Sequence, residues 1–412
     1  MNIGIVCYPT YGGSGVVATE LGKSLALKGH DVHFISHNRP ARLNYFSDKL
    51  HYHEVSFLDY PLFEYPPYEL ALTNKLVDVA KFAKLDLVHV HYAIPHAYAA
   101  YMAKQILKTQ DFSLPIVTTL HGTDITLLGR DASYEPAISF CINNSDGVTA
   151  VSDYLKKETY KHFNVQNDIQ VIPNFIDLER FNKNVTSTCK KSIAPGNEKI
   201  IVHTSNFRKV KRVEDVVKVF ARIRNEMPAK LVLIGDGPER NNVEQACRKM
   251  PFCGDVHFLG KIDAIEEVLS MGDLFVLTSE QESFGLSSLE AMACGMPVIS
   301  TNAGGITEVN VHGESGFVSE IGDTDDMGNN ALHILEDEER HQKFRQNAIN
   351  RAKKFEINKI LPLYEKAYEA VKKETVESPL SKSLCHENHP YLRKCCIFLN
   401  RMWLATGSSL FC

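Results

Sequence analysis

The sequence predicts an α/β protein of two Rossmann-like, doubly wound parallel-sheet domains facing one another across a cleft. Three observations predict it. From the N-terminus an apolar strand, a glycine turn, an amphipathic helix and a second apolar strand follow one another, the order of a βαβ unit and so of a parallel sheet. The same alternation begins again near residue 200. Between the two series, residues 182–198 are polar and lack apolar periodicity, as an inter-domain connection does.

The first strand, residues 2–8, stops at Pro9 and a glycine cluster. Residues 16–28 then carry Val17, Leu21 and Leu25 at helical spacing and end on Lys28 and Gly29, a basic last turn followed by a C-cap glycine. Residues 32–36 form the next strand. Further buried strands are expected at 87–90, 116–120, 147–151 and 170–172, with helices at 74–84 and 97–107. In the second series the strands are 200–204, 231–234, 256–259, 274–277 and 297–300, separated by helices at 213–226, 239–249, 265–271 and 287–294. The domain expectation is therefore an N-terminal domain over 1–180, a C-terminal domain over 181–354 and a helix over 355–373 that packs back on the first. Residues 374–412, with four of the ten cysteines and the one tryptophan, read as an atypical, disordered tail.

Composition bounds the function. Of 412 residues, 44% are hydrophobic and 23% charged, and 45 Lys and Arg against 50 Asp and Glu leave a net charge of −5. No global basic field attracts nucleic acid or anionic lipid, so neither is expected as a partner, while self-association into a homo-oligomer is compatible with the composition. The first residues, MNIGIVCYPTYGG, have neither the basic start nor the apolar stretch of a secretion signal. No run of 18 apolar residues would span a bilayer. Scattered single cysteines then read as reduced thiols of a cytoplasmic protein.

Four glycine- and charge-bearing segments carry the chemistry. Gly12, Gly13 and Gly15 flank Ser14 between the first strand and helix, where backbone amides and the helix dipole favour an anion; a tight strand–helix turn alone explains them as well. A nicotinamide dinucleotide site would need a carboxylate ending the second strand, and Phe34, Ile35, Ser36 and His37 stand there. Glu282 and Glu290 bracket a loop and helix start, residues 283–287, whose amides face outward at a helix N-terminus; the two glutamates suit ribose hydroxyls or a solvated helix face. Arg208, Lys209, Lys211 and Arg212 follow a strand, where they neutralise a diphosphate or simply meet solvent. His89, His91, His96 and His121 lack cysteine or carboxylate partners at zinc spacing, so no metal and no cofactor is expected. Asp323, Asp325 and Asp326 read as an N-cap cluster.

Taken together, the Glu282–Glu290 spacing, the glycine turns at 12–15 and 304–305, and VIPN at 171–174 resemble the family 4 retaining glycosyltransferases of the GT-B fold. More narrowly, CYPTYGGSGVVATELG (7–22), HVHYAIPHA (89–97), TTLHGTDIT (118–126) and VIPNFID (171–177) are similar to the branch that opens bacillithiol biosynthesis. The resemblance implies transfer of N-acetylglucosamine from UDP-N-acetylglucosamine to the hydroxyl of L-malate, both as diffusible partners. It implies that Glu290 binds the ribose, Glu282 contacts the transferred sugar, and Ser283, Phe284, Gly285 and Leu286 supply amides to sugar and phosphates. Lys211 would meet the diphosphate, and Asn206 stands in the donor site where many relatives carry arginine. Gly13 would lie at the reacting centre, His121 would hold the sugar near its anomeric carbon, and Ser14, Tyr92 and Thr119 would touch the acceptor. Ile262 and Arg130 depart from the usual pattern. The implied mechanism is metal-free front-face attack, with Asp124 better suited to capping than to nucleophilic duty. A family member with another sugar or acceptor, or a UDP-sugar epimerase or hydrolase of this fold, is the alternative.

Overall fold

Short, almost wholly buried apolar strands alternate with helices in both halves of the chain, because a strand covered on both faces by crossover helices needs apolar residues at every position rather than at alternate ones. The computed structural model describes residues 1–44, 46–57, 65–127, 129, 131–185, 190–196 and 198–381, with residues 374–381 described by backbone alone. The N-terminal half contains β1 (Asn2–Val6), α1 (Gly13–Leu27), β2 (Asp31–Ser36), β3 (Leu50–Glu54), α2 (Tyr68–Ala83), β4 (Leu87–His91), α3 (Tyr98–Lys108), β5 (Ile116–Leu120), α4 (Glu135–Asn143), β6 (Gly147–Ala150), α5 (Asp153–His162) and β7 (Ile169–Val171). Among the described residues these strands form one parallel sheet in the order β3-β2-β1-β4-β5-β6-β7.

After a short helical turn, α6 (Lys190–Ile193), the second half runs β8 (Lys199–Thr204), α7 (Val213–Glu226), β9 (Ala229–Ile234), α8 (Arg240–Arg248), β10 (Val256–Gly260), α9 (Ile265–Leu269), β11 (Leu274–Leu277), α10 (Leu286–Ala293), β12 (Val298–Thr301), β13 (Gly316–Ser319), α11 (Thr324–Leu335) and α12 (Glu338–Ala352). Its sheet is also parallel, in the order β10-β9-β8-β11-β12-β13. In each sheet the strand order reverses once, between β1 and β4 and between β8 and β11. Open α/β sheets leave a crevice for ligands outside the carboxyl ends of the strands at that point. The fold is GT-B, as the sequence predicts.

Helix starts follow local chemistry. Asp323 caps α11 by accepting the Asp326 amide at 2.9 Å, the role expected of that acidic cluster, and Asp337 caps α12 through the Arg340 amide at 2.8 Å. The start of α5 is closed by Ser152 Oγ on the Leu155 amide. Glu308, from the other domain, adds its carboxylate, which accepts the Asp153 and Tyr154 amides at 3.0 and 2.7 Å. Two short strands escape the sequence reading: β3 is a half-buried edge with an LHYHE pattern, and β13 has only four residues.

The chain crosses between domains twice at one place. Ile176 and Ile357 exchange backbone hydrogen bonds with Phe355 and Ile176, and α13 (Ile357–Ser381) then returns to the N-terminal sheet. Tyr364 and Tyr368, both fully buried, pack there among Ile3, Ile5, Val17, Leu21 and Val117. The helix continues in backbone to Ser381, past the start of the tail expected at 374; residues 382–412 lie outside the described ones. One expectation is corrected: Cys247 and Cys253 are not separate thiols. The end of α8 and the following turn bring them to a Cα separation of 5.2 Å in a disulfide. Cys7, Cys141 and Cys294 are free and buried. Among the described residues no helix is long and apolar enough to cross a membrane.

The Tyr368 hydroxyl lies 2.8 Å from His89 Nδ1. Tyr368→Ala is therefore expected to lower folding stability by about 3–5 kcal/mol. Tyr368→Phe, which strands a buried imidazole nitrogen, is expected to cost about 1–3 kcal/mol. Urea unfolding of the two variants measures both, and equal costs would contradict the role given to the hydroxyl.

Candidate active site

The cleft is built where two glycine-led helix starts meet. Gly12 precedes α1 in extended backbone, and no side chain caps that helix. At Gly15 an added Cβ would stand 2.4 Å from the Thr10 carbonyl oxygen and 2.5 Å from that of Tyr8, so the turn can only be this tight with glycine. Gly13 faces Leu286, the first residue of α10, at 3.9 Å from its Cβ position. α10 is led by Gly285 at φ +92, again with no side-chain cap. Two helix N-termini, each with unclaimed first-turn amides and a positive dipole end, thus oppose each other across the cleft. Ser283 is seated between the domains: its carbonyl accepts Ser152 Oγ at 2.6 Å. Its side chain fills the space a Cβ on Gly122 would need.

The polar side chains expected at the donor gather on the C-terminal side. Lys211 Nζ and Ser279 Oγ both donate to Glu282 Oε1, at 2.6 and 2.7 Å, and the Glu282 carbonyl accepts the Gly305 amide at 2.9 Å. Asn206 is exposed at the end of β8. Phe284 turns its ring inward, edge-on to Phe355 at 5.6 Å, so only its backbone remains for a ligand. Glu290 is buried on α10, where desolvation raises its pKa and Arg42 opposes the rise. Arg42 Nη1 and Nη2 reach Glu290 Oε1 from the N-terminal domain at 3.3 and 3.2 Å. Sequence reasoning missed Arg42, a single arginine in a loop 248 residues away from its partner, because nothing local marks it. Arg130 lies outside the described residues, while Ile262 packs as a partly buried apolar side chain.

On the N-terminal side the histidines have partners other than a metal. His91 Nδ1 and His121 Nε2 are 2.7 Å apart with rings stacked. His96 Nδ1 donates to the His91 carbonyl at 2.5 Å, and its Nε2 meets the Tyr68 hydroxyl at 3.1 Å. His89 lies between Tyr368 and Thr119 Oγ1. Burial pushes the His89 and His121 pKa values down to about 3 and that of His96 to about 4, so near neutral pH His121 is an uncharged hydrogen-bonding group. Thr119 is fully buried, and its hydroxyl is shared by His89 and Thr149, each at 2.6 Å. Its carbonyl accepts the Tyr92 amide at 2.9 Å. Tyr92 and Ser14 do come together, the phenol donating to Ser14 Oγ at 2.6 Å, with Tyr92 held at φ +90, a strained backbone for a side-chain-bearing residue. Asp124 accepts the Ala93 amide at 2.8 Å and the Gly122 amide at 3.2 Å. It ties the two loops together, and burial pushes its pKa up to about 6. A carboxylate saturated by backbone donors is a poor nucleophile.

The buried histidines carry a pH consequence. His89, His96 and His121, with His203 held near 4 by burial in the other domain, stay neutral in the folded state, while the unfolded chain protonates them below about 6.5. Their contribution is present above pH 6.5 and is lost as the pH falls toward 4, at most about 1.4 kcal/mol per pH unit for each. Asp124, with its raised pKa, offsets a minor part between pH 6 and 4. Unfolding midpoints in urea are expected to fall between pH 7 and pH 5; equal midpoints would contradict the burial of neutral imidazoles.

Comparison with known proteins agrees with this architecture. Residues 11–180 match the Glycosyltransferase Family 4 model, and residues 185–351 match the model for glycosyl transferases group 1. The N-acetyl-alpha-D-glucosaminyl L-malate synthase of Bacillus anthracis is 49% identical over 371 residues, covering 89% of this chain and 96% of that one. Among solved structures, Anabaena Alr3699/HepE in complex with UDP-glucose superposes with a TM-score of 0.76 at 20% identity, over 90% of this chain and all of that one. Sucrose-phosphate synthase from Thermosynechococcus elongatus does so with a TM-score of 0.73, also at 20% identity, over 90% of this chain and 99% of that one. With the opposed helix starts, the Glu282–Lys211 pair and both family models on one chain, the protein belongs to the family 4 glycosyltransferases and is a glycosyltransferase of the GT-B fold.

Proposed function

We propose that this chain transfers N-acetylglucosamine from UDP-N-acetylglucosamine to the hydroxyl of L-malate, with retention of anomeric configuration, as the first step of bacillithiol biosynthesis in the cytoplasm. The observation that carries the reading is the 49% identity to the Bacillus anthracis enzyme across 96% of that protein's length. In this reading the uracil nucleoside sits on the C-terminal domain with its ribose hydroxyls on Glu290. The diphosphate lies between the starts of α1 and α10, close to Gly13, where backbone amides and Lys211 offset the charge that develops as it leaves. Ser283, Phe284, Gly285 and Leu286 contribute amides, Asn206 borders the phosphates, and Glu282 orients the sugar. His121, kept neutral by burial, hydrogen-bonds the sugar beside its anomeric carbon.

The malate hydroxyl, guided by Ser14 and Tyr92, approaches the anomeric carbon on the face from which the diphosphate departs. The bond from that carbon to the phosphate oxygen breaks, the new carbon–oxygen bond to malate forms, and the departing phosphate takes the hydroxyl proton. The engagement of Asp124 by backbone amides supports this route over a covalent glycosyl-enzyme, which needs a free carboxylate on the opposite face. Closure of the two domains keeps water from the activated sugar.

The test is UDP release from UDP-N-acetylglucosamine with and without L-malate, with product mass read in parallel. Malate-dependent release together with a glycosyl-malate mass is expected. Release indifferent to malate would replace the reading with another acceptor, epimerisation or hydrolysis. Two variants divide the roles. Glu290→Ala, which removes charge-assisted hydrogen bonds to the ribose, is expected to weaken UDP binding by about tenfold to a hundredfold, measured by calorimetry. His121→Ala is expected to leave that affinity within about threefold while lowering kcat by about a hundredfold, the size of one lost electrostatic contact in a transition state.

A further inference from the structure

The carboxylate read here as the ribose site is already engaged from the opposite domain. Arg42, in the loop after β2, crosses the cleft and places Nη1 and Nη2 on Glu290 Oε1. Both side chains are withdrawn from water, at 12% and 7% exposure. The backbone at Arg42 adopts φ +65, and the guanidinium lies 5.6 Å from the centre of the Phe181 ring. One cavity is lined by this pair together with Glu20, Asp177 and Leu286.

Two features of the contact matter. Two N–H groups on one carboxylate oxygen occupy both of its lone pairs, so a vicinal diol, which takes one hydroxyl on each oxygen, cannot bind Glu290 fully while Arg42 stays. The separations of 3.2 and 3.3 Å also exceed the usual 2.7–2.9 Å or so of a tight charge-assisted pair, which marks a contact suited to exchange. Asp177 stands in the same cavity as a carboxylate that can receive the displaced guanidinium, whereas Glu20 already pairs with Lys23 and Arg180.

We propose that Arg42 is a cross-cleft latch on the donor site: its guanidinium holds Glu290 when nucleotide is absent and is displaced by the two ribose hydroxyls when nucleotide binds. The proposal rests on Glu290 being the ribose carboxylate. A nucleotide with both hydroxyls exchanges one set of partners for another, whereas one without them leaves the latch shut, so the cost of displacing Arg42 falls on ribonucleotide donors alone. The latch lowers apparent donor affinity by the fraction of molecules in which Glu290 is free.

The test is calorimetric titration of UDP, and of its analogue lacking both ribose hydroxyls, into the full-length wild type, Arg42→Met and Arg42→Gln. UDP is expected to bind Arg42→Met about three- to tenfold more tightly than wild type, as for a site otherwise free a third to a tenth of the time. The analogue is expected to gain nothing. Equal or weaker UDP binding by Arg42→Met overturns the latch, and so does an equal gain for both nucleotides. Arg42→Gln, which keeps a neutral polar head, decides in the same way if the methionine variant does not fold. Glu290→Ala in the same titration separates the two levels: unchanged UDP affinity there overturns the ribose reading itself, whatever Arg42 does.

Discussion

The molecule is organised around two helix N-termini that are left uncapped and held face to face. A helix start normally recruits a serine, threonine or aspartate to satisfy its first amides, as Ser152, Asp323 and Asp337 do elsewhere in this chain. α1 and α10 recruit none, and neither do α2, α3, α4, α7, α8 and α9; what sets α1 and α10 apart from these is the glycine that leads each. Their positive ends would repel one another in the closed cleft, so other contacts must hold the domains: Ser152 on the Ser283 carbonyl, Glu308 on the start of α5, and Ser283 in the space left by Gly122. The glycines serve approach, and the cross-domain polar contacts serve closure. In the proposed reading, an anionic diphosphate between the two ends offsets that repulsion.

Burial sets the electrostatics of the rest. In the N-terminal half, histidines packed against one another and against Tyr364 and Tyr368 are kept neutral, so they offer shaped hydrogen-bonding groups instead of fixed positive charge. On the donor side the cationic Lys211 is paired with Glu282, and Arg42 with Glu290. In the proposed reading, each pair places a carboxylate and its counter-ion where a nucleotide sugar brings hydroxyls and phosphates. Both pairs can therefore exchange partners on binding without leaving a charge unmatched in a desolvated site.

Much of this was legible in the sequence because it is local. Strand, glycine turn and helix order follow from short apolar runs and the punctuation of residues 12–15 and 304–305, and the Glu282–Glu290 segment reads as a loop entering a helix. What escaped is long-range. Arg42 acquires its meaning only when the cleft closes on Glu290, and the Tyr368–His89 bond joins residues 279 apart; Glu308 suits capping from the sequence alone, but that the helix it caps belongs to the other domain does not show there. The direction of the Thr119 side chain was not legible for a related reason: within a fully buried strand, alternation does not tell which face lines the cleft, and neighbouring His89 and Thr149 settle it. β3 escaped because a half-exposed edge strand lacks the continuous apolar run that marks the central ones.

The central claim, that the opposed starts of α1 and α10 receive the donor's diphosphate, is tested most directly by a crystal structure of the protein with UDP bound. The account predicts the terminal phosphate within hydrogen-bonding distance of first-turn amides of α10, facing the Gly13 turn, with Lys211 beside it. A well-ordered nucleotide whose phosphates contact neither helix start would contradict it.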